Sequence, residues 1–435
     1  MRDSLTHKIA ILGFGREGKA LLNFIKKDPV LKKEELWILD KNPLTIIPRN
    51  IRTILGDTYL DNLFNFDIIF RSPGIPYTLP EIQKALKKGV IISSGTQLFF
   101  ERALGTIIGI TGTKGKGTTS TLLYNILKRS KRDVHLAGNI GKPALSILYK
   151  LSHASITILE LSSFQLHNLP HSPHIAGILG IFPDHQDSHK SFKEYVNAKS
   201  HIALHQRPDD NVFFIARNRY SRTIGEKSKA IQFPLVFDSQ NPFHKAIENA
   251  LCIPGVHNKD NALLAASIAR SIKCKDKDIL ISIKKFKGLR HRLEFIRTIR
   301  QKRSTLSFYN DSASTNPGTT IAGTHAFHTP IILIAGGKDK NLDYNLWKKE
   351  INTRVKNIIL YGENRNILHE VLKEKGSHLF IVSNLENAVR KSYELGLLLE
   401  GEVTVLFSPG AASFDMFKNY EERGNTFKKI VNVIK

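Results

Sequence analysis

Residues 106–129 read TIIGITGTKGKGTTSTLLYNILKR. The apolar run TIIGIT leads into a glycine-rich loop, and Leu122, Leu123, Ile126 and Leu127 then recur at helical spacing. A buried-type strand feeding a glycine loop and a helix opens a βαβ unit. The N–H groups of such a loop cradle phosphate, and the helix N-terminus adds a favourable dipole. Lys116 is placed to reach the outer phosphates as a mobile cation. The general GxxxxGK[ST] pattern is met only in part: Ile110 holds the first glycine slot, and Gly117 follows the lysine where a hydroxyl is usual. Thr118 lies one residue on and is the candidate Mg²⁺ hydroxyl. The run Gly112, Thr113, Lys114, Gly115, Lys116, Gly117 and Thr118 is therefore the expected phosphate contact.

The same alternation extends to both sides. Upstream, HKIAILGFG reads as a strand entering a turn, KALLNFIKK as a helix, ELWILDKN and DIIFRSPGI as strands, LPEIQKALKKG as a helix and VIISS as a strand. Gly13, Gly15 and Gly18 fit GxGxxG, and Asp40 ends the next strand, where a dinucleotide fold places its ribose-binding acid. Taken alone the motif fits a nicotinamide dinucleotide, another nucleotide diphosphate, or a tight turn that needs glycine for packing. Strands alternating with helices predict a mostly parallel sheet whose working edge lies at the carboxyl ends of the strands.

Downstream, ASITILE is a strand ending at Glu160, a hard oxygen donor aimed at a cation of the phosphate loop or an ordinary strand-end acid. HIAGILGIFPDHQDSH runs into an acid- and histidine-rich loop in which Asp184 and His185 can hold a second Mg²⁺ or Mn²⁺. FKEYVNAKSHIALH is helical, residues 206–250 read as short strands and turns, and GVHNKDNALLAASIARSI is a helix. Asn258 and Asn261 at its start suit either a cap or the edge of a purine. Residues 284–304, KKFKGLRHRLEFIRTIRQKRS, are basic, weakly patterned and expected to be a linker. Five buried-type strands follow, STLSFYNDS, PIILIAGG, NIILYG, HLFIVSN and VTVLFSPG, each with a helix-like stretch after it. Three of them end in small or polar runs at Asn310, Gly336 and Ser408, which predicts an anion-binding crevice on one sheet edge.

Composition bounds the rest. The chain has 435 residues, 41% hydrophobic and 24% charged, enough for several globular cores and against wholesale disorder. No run approaches a membrane span, and the opening residues enter a strand rather than a secretory leader. Two cysteines make no disulfide framework and suit a reducing cytoplasm. The net charge of +25 is scattered rather than massed in a tail, which fits a solvated surface, attraction of anionic substrates or nucleic-acid binding. No aromatic-plus-basic RNA motif or helix-turn-helix pattern supports the last.

Nine stretches, in order, are TGTKGKGTT, GNIGKP (138–143), LELSSFQL (159–166), the Asp-His pair at 184–185, GVHNKDNA (255–262), GLRHRLE (288–294), NDSASTNP (310–317), AGGKDKNLDY (335–344) and SPGAASFDMFKNYEERG (408–424). In order and spacing this set resembles the Mur ligase family, the ATP-dependent amino-acid-adding enzymes of peptidoglycan synthesis. The resemblance implies three α/β domains. These are an N-terminal Rossmann-like UDP-binding domain (1–95), a central P-loop ATPase domain with a mostly parallel sheet (96–288) and a C-terminal Rossmann-like amino-acid-binding domain (289–435). The start and ending imply ATP-dependent addition of D-glutamate to UDP-N-acetylmuramoyl-L-alanine by a cytoplasmic monomer, without nucleic acid or membrane insertion. Two Mg²⁺ ions are implied, with Mn²⁺ an alternative.

Site roles follow from the resemblance. Lys116 and Thr118 hold phosphate and metal, and Glu160 and His185 are metal ligands. Lys199, on composition alone a solvated lysine, matches one that is carbamylated in relatives and so gains a carboxylate for the second metal. Asn258 and Asn261 match the adenine side, and Arg292 and Asp311 match residues near ATP. Gly13, Gly15, Ser72, Pro73, Gly74, Asn139 and Gln165 fall to the UDP-substrate side. Lys340, Thr315, Ser413, Phe414 and Tyr420 fall to the D-glutamate pocket. The GLRHRLE stretch is expected to be a hinge. Two positions depart from the family pattern: Gly117, and Ala313 where relatives carry a lysine, for which Lys338 is a candidate substitute. Rival readings are another Mur ligase, a folylpolyglutamate synthase, which lacks the α/β unit ahead of the phosphate loop, a nicotinamide dehydrogenase and a nucleic-acid-binding ATPase.

Overall fold

The computed structural model describes residues 6–44, 51–139, 141–184, 189, 191–253, 255, 257–301, 303–340, 342–374 and 378–434. The chain divides into two compact units, residues 1–249 with 260–283, and residues 250–259 with 284–435. Three mostly parallel sheets form among the described residues, two in the first unit and one in the second.

The first sheet contains β1 (Lys8–Leu12), β2 (Glu35–Asp40), β3 (Arg52–Leu55), β4 (Ile68–Arg71) and β5 (Ile91–Ser93), in the order β3-β2-β1-β4-β5. Every pair is parallel. In β1, Ile9 through Leu12 are buried, as a strand covered on both faces requires. Helices α1 (Arg16–Ile25), α2 (Pro80–Lys87) and α3 (Gly95–Arg102) supply cover. The strand order reverses at β1 and β4, so the crevice lies beyond their carboxyl ends.

The second sheet holds β6 (Thr106–Thr111), β7 (Val134–Gly138), β8 (Ile156–Glu160), β9 (Ile175–Ile178), β10 (Asn211–Ile215) and β11 (Ile231–Leu235), in the order β11-β10-β9-β6-β8-β7, again parallel. Around it pack α4 (Lys116–Arg129), α5 (Ser163–Leu166), α6 (Phe192–Leu204), α7 (Arg219–Glu226), α8 (Pro242–Ala250), α9 (His257–Ser271) and α10 (Asp276–Lys285). A continuous apolar core joins the first two sheets through residues such as Phe14, Leu98, Leu145 and Leu166.

The third sheet contains β12 (Glu294–Arg300), β13 (Ser304–Asn310), β14 (Ile331–Ala335), β15 (Val355–Leu360), β16 (His378–Ile381) and β17 (Gly401–Phe407), in the order β12-β13-β17-β14-β15-β16. Helices α11 (Pro317–Thr324), α12 (Asn345–Glu350), α13 (Arg365–Leu372), α14 (Leu385–Leu397) and α15 (Tyr420–Val433) follow its parallel strands.

Two sequence expectations are corrected here. Residues 206–250 contain the helices α7 and α8 besides two strands. Their signal is weak because α7 buries only Ser221, Ile224 and Gly225, and α8 only Ile247. The expected linker at 284–304 contains β12, an edge strand pairing antiparallel with β13. Most of β12 is only half-buried, so its arginines sit on a partly solvated face and blur the strand pattern. Strands β3 and β7 are likewise unmarked in the sequence because their residues are largely half-exposed.

Candidate active site

Loop 112–115 joins β6 to α4 and begins the central site. Gly115 precedes the helix in the left-handed region (φ +85°), and a Cβ there would lie 2.1 Å from Asn261 Oδ1. Only glycine permits that approach of α9 to the loop. Lys114 is exposed, Thr118 half-buried and Gly117 buried in the first turn. Thr113 is held by Phe182, whose N–H donates to Oγ1 at 2.9 Å, and by the Tyr195 hydroxyl at 3.1 Å.

Two ammonium groups meet under this loop. Lys116 Nζ donates to the carbonyls of Gly112 (2.9 Å) and Thr113 (3.0 Å), and Lys199 Nζ donates to the same Gly112 carbonyl at 2.9 Å. Lys199 is 1% exposed and sits 4.6 Å from the centre of the Tyr195 ring. Burial first, then the nearby Lys116 charge, push its basicity well below the usual lysine range, against the pull of Asp184 and Glu160.

Glu160 ends β8 beside them, buried. Its Oε1 accepts from Asn139 Nδ2 at 2.8 Å, whereas Oε2 has no hydrogen-bond partner among the described residues. An orphaned carboxylate oxygen at a strand end beside the glycine loop fits a hard divalent cation such as Mg²⁺. Asp184 is exposed, and His185 lies outside the described residues.

Asn139 connects this centre to a second cleft. A cavity of about 420 Å³ lies beyond β1 and β4. Gly13, Gly15, Ser72, Pro73 and Gly74 line it from the first sheet, and Asn139 and Gln165 from the second. All seven residues grouped by the sequence on the UDP-substrate side thus line one cavity. Ser72 Oγ donates to the Gly13 carbonyl at 2.6 Å, and Asp40 accepts from the Phe14 N–H, also at 2.6 Å. Gln165 closes a capping box with Ser162 on α5 and turns its amide to Glu17 Oε1 at 3.4 Å. Arg16 spans to the second sheet, donating to the Asn139 carbonyl at 2.9 Å. Sequence reasoning did not single out Arg16, Glu17 or Tyr59, which also line the cavity. Glu17 is the unexpected one, a carboxylate beside the glycine turn whose pKa burial raises.

The second unit presents its own strand-end cluster. Adjacent strands β13, β17 and β14 end at Asn310, Phe407 and Ala335. Asp311 is buried and accepts from Ser408 Oγ (2.7 Å) and the Leu293 N–H (3.2 Å); burial lifts its pKa to about 6. Arg292, Phe414, Tyr420 and Lys340 are exposed, with Lys340 Nζ 5.3 Å from the Phe414 ring centre; Thr315 is half-buried and Ser413 buried. Asn258 is buried in the first turn of α9. Lys338, the candidate substitute for the cation absent at Ala313, pairs with Glu363 at 2.6 Å, both side chains half-exposed.

Arg423 organises this edge and was not anticipated. Fully buried, it donates to Ser312 Oγ (3.0 Å) and O (2.9 Å) and to the carbonyls of Ala411 and Ala412 (3.0 Å each). It ties the turn after β13 to the turn after β17. Its only advance sign is its place in KNYEERG.

A phosphate loop over two ammonium groups, that of Lys199 fully buried, an orphaned strand-end carboxylate and a second strand-end cleft define a nucleotide-using α/β enzyme. The chain belongs to the Mur ligase family: residues 7–94 match the model of the Mur ligase MurD-like N-terminal domain, and 110–269 that of the Mur ligase middle domain. It is 38% identical to UDP-N-acetylmuramoylalanine–D-glutamate ligase of Acetivibrio thermocellus, over 98% of this chain and 96% of that protein. It is 34% identical to the ligase of the same name from Caldanaerobacter subterraneus, over 98% of each. Among solved structures, UDP-N-acetylmuramate-alanine ligase of Thermotoga maritima aligns over 99% of this chain and 100% of that one (TM-score 0.53, 16% identity). MurF of Acinetobacter baumannii aligns over 92% and 86% (TM-score 0.55, 16% identity), and these two likenesses concern the fold alone.

Proposed function

We propose that this chain is an ATP-dependent ligase that joins D-glutamate to UDP-N-acetylmuramoyl-L-alanine, in the cytoplasmic synthesis of peptidoglycan precursors. The observation that carries the reading is the link from the phosphate loop to the second cleft. Glu160, with its orphaned oxygen, is hydrogen-bonded to Asn139, and Asn139 lines the cavity. A substrate bound by its diphosphate in the cavity can extend a carboxylate toward the γ-phosphate. The near-full-length likeness to two ligases of one name supports the choice of substrates.

The chemistry then runs in two stages. An oxygen of the substrate carboxylate attacks the γ-phosphorus, a P–O bond forms, the β,γ-bridging bond breaks and ADP leaves. The amine of D-glutamate attacks the acyl carbon, and the tetrahedral adduct loses a proton and expels phosphate. Loop amides and Lys116, released from the Gly112 and Thr113 carbonyls, position the triphosphate. Thr118, Glu160, His185 and Lys199 as its carbamate would hold Mg²⁺, which supplies charge neutralisation on the phosphates. Lys199 is suited to that change: a buried amine of depressed basicity is neutral enough to attack CO₂ through its lone pair, losing a proton. Asn258 and Asn261 are assigned to the adenine, Arg292 and Asp311 to the nucleotide, and Lys340, Thr315, Ser413, Phe414 and Tyr420 to D-glutamate.

Phosphate release from ATP with UDP-N-acetylmuramoyl-L-alanine tests the reading directly. Release should depend on D-glutamate and match amide formed, with L-glutamate and no amino acid near background. Equal release with all three would overturn it.

A further inference from the structure

We infer that His167, His189 and Glu194 form a second cation site, separate from the phosphate-loop centre, for a borderline divalent metal of the Zn²⁺ class. One donor atom from each residue lies within 4.8 Å of the others. The three come from separate segments: His167 just after α5, His189 ahead of α6, and Glu194 in the first turn of α6. None belongs to the residues assigned to substrate, nucleotide or Mg²⁺.

The chemistry of the set favours such an ion. Two imidazoles and a carboxylate are a zinc donor set that leaves a fourth position for water, whereas Mg²⁺ seeks oxygen. Such an ion takes the neutral imidazole, so its binding competes with protons. His189 is buried, and Ser163 Oγ lies 3.0 Å from its Nε2. Metal-bound histidines usually have this outer partner on the second ring nitrogen, and with Nε2 so engaged Nδ1 is the nitrogen a metal would take. Aromatic neighbours fix both rings: His189 stacks on Phe164 with centroids 5.0 Å apart, and His167 lies 5.3 Å from Tyr77.

Geometry and charge set the strength. His167 Nε2 and Glu194 Oε1 are 3.9 Å apart, and tetrahedral ligands of zinc stand roughly 3.4 Å apart, so the cluster must close by about half an ångström on this edge. The charge of Arg71 reaches His167 and works against a cation, although its guanidinium is engaged by the Ile75 and Phe164 carbonyls. One carboxylate against that charge sets the expected affinity in the micromolar range. A bound ion would clamp the end of α5, which presents Gln165 to the substrate cleft, to the start of α6, which carries Lys199.

Co²⁺ serves as a visible probe for this ion. Titration of the full chain in excess Mg²⁺ should give the absorption of tetrahedral cobalt with a micromolar dissociation constant, abolished by stoichiometric Zn²⁺. His167→Ala and Glu194→Gln should weaken binding by about a hundredfold. Glu160→Gln, which alters the phosphate-loop centre, should leave it within twofold. Melting temperature tracks folding: Zn²⁺ should raise it in the wild type and not in His167→Ala. No visible band in the wild type, or an unchanged band in a folded His167→Ala, would overturn the site. None of these readings requires turnover, so the proposed ligase activity and the metal site can fail separately.

Discussion

Two glycine turns of the first unit each lead a parallel strand into a helix, and they carry different side-chain chemistry. At Gly13–Gly18 a strand passes through glycines into α1, and at Gly112–Gly117 another passes into α4. Around the first turn stand two carboxylates, Glu17 in its helix and Asp40 on the neighbouring strand; Lys41 also lines this cleft, and Arg16 is spent on the carbonyls of Asn139 and Gly141. Under the second turn stand Lys116 and Lys199, both on the Gly112 carbonyl, with Glu160 to one side. Amides of a helix N-terminus accept any anion, so the side chains decide what happens to it. The first turn can hold a diphosphate that is not to react. The second can hold a triphosphate, with mobile charge to stabilise its transfer.

The comparison can be broken in order of expected effect. Glu160→Gln removes the orphaned anionic oxygen, and kcat should fall by about 10²–10³-fold with the melting temperature unchanged. Thr118→Val should lower ATP turnover on the order of 10²-fold while Gly117→Ser is tolerated; full activity in Thr118→Val would reassign the metal hydroxyl. Stripping CO₂ and bicarbonate should slow the wild type reversibly, and Lys199→Ala should be slow and indifferent to bicarbonate. Carbon-13 spectroscopy of the labelled carbamate reads this directly.

Smaller effects sharpen the contrast. Arg423→Lys keeps the charge but loses the fork that grips Ser312, Ala411 and Ala412. It should cost about 1–3 kcal/mol of stability and raise the KM for D-glutamate more than it lowers kcat. At the first turn, the pKa of Glu17 is raised by burial. Its charge therefore develops at a higher pH than an ordinary glutamate's, and repulsion of the diphosphate grows as pH rises through that value. The KM for the UDP substrate should climb across this window in the wild type and stay flat in Glu17→Gln.

What was legible in the chain follows from how locally each feature is encoded. The phosphate loop, Glu160 and the five strands of the last unit are carried by contiguous runs; four of those strands have buried cores, whereas β16, at the sheet edge, buries none of its residues. The cleft lining joins Gly13, Ser72 and Asn139, far apart in sequence, and could be grouped beforehand only through the order of the family motifs. Glu17 and Arg423 escaped because a charged residue inside a motif reads as solvent-facing until its burial is known. The edge strand β12 and the helices α7 and α8 bury few apolar side chains, so periodicity says little there. The His167, His189 and Glu194 cluster depends on three segments meeting in space, which no spacing rule reports.

The central claim is that the acid is activated by phosphorylation before the amine arrives. Substrate labelled with ¹⁸O in the alanyl carboxylate reads it directly: for each amide bond made, one labelled oxygen should appear in the released phosphate. Amide formed with unlabelled phosphate would contradict the account.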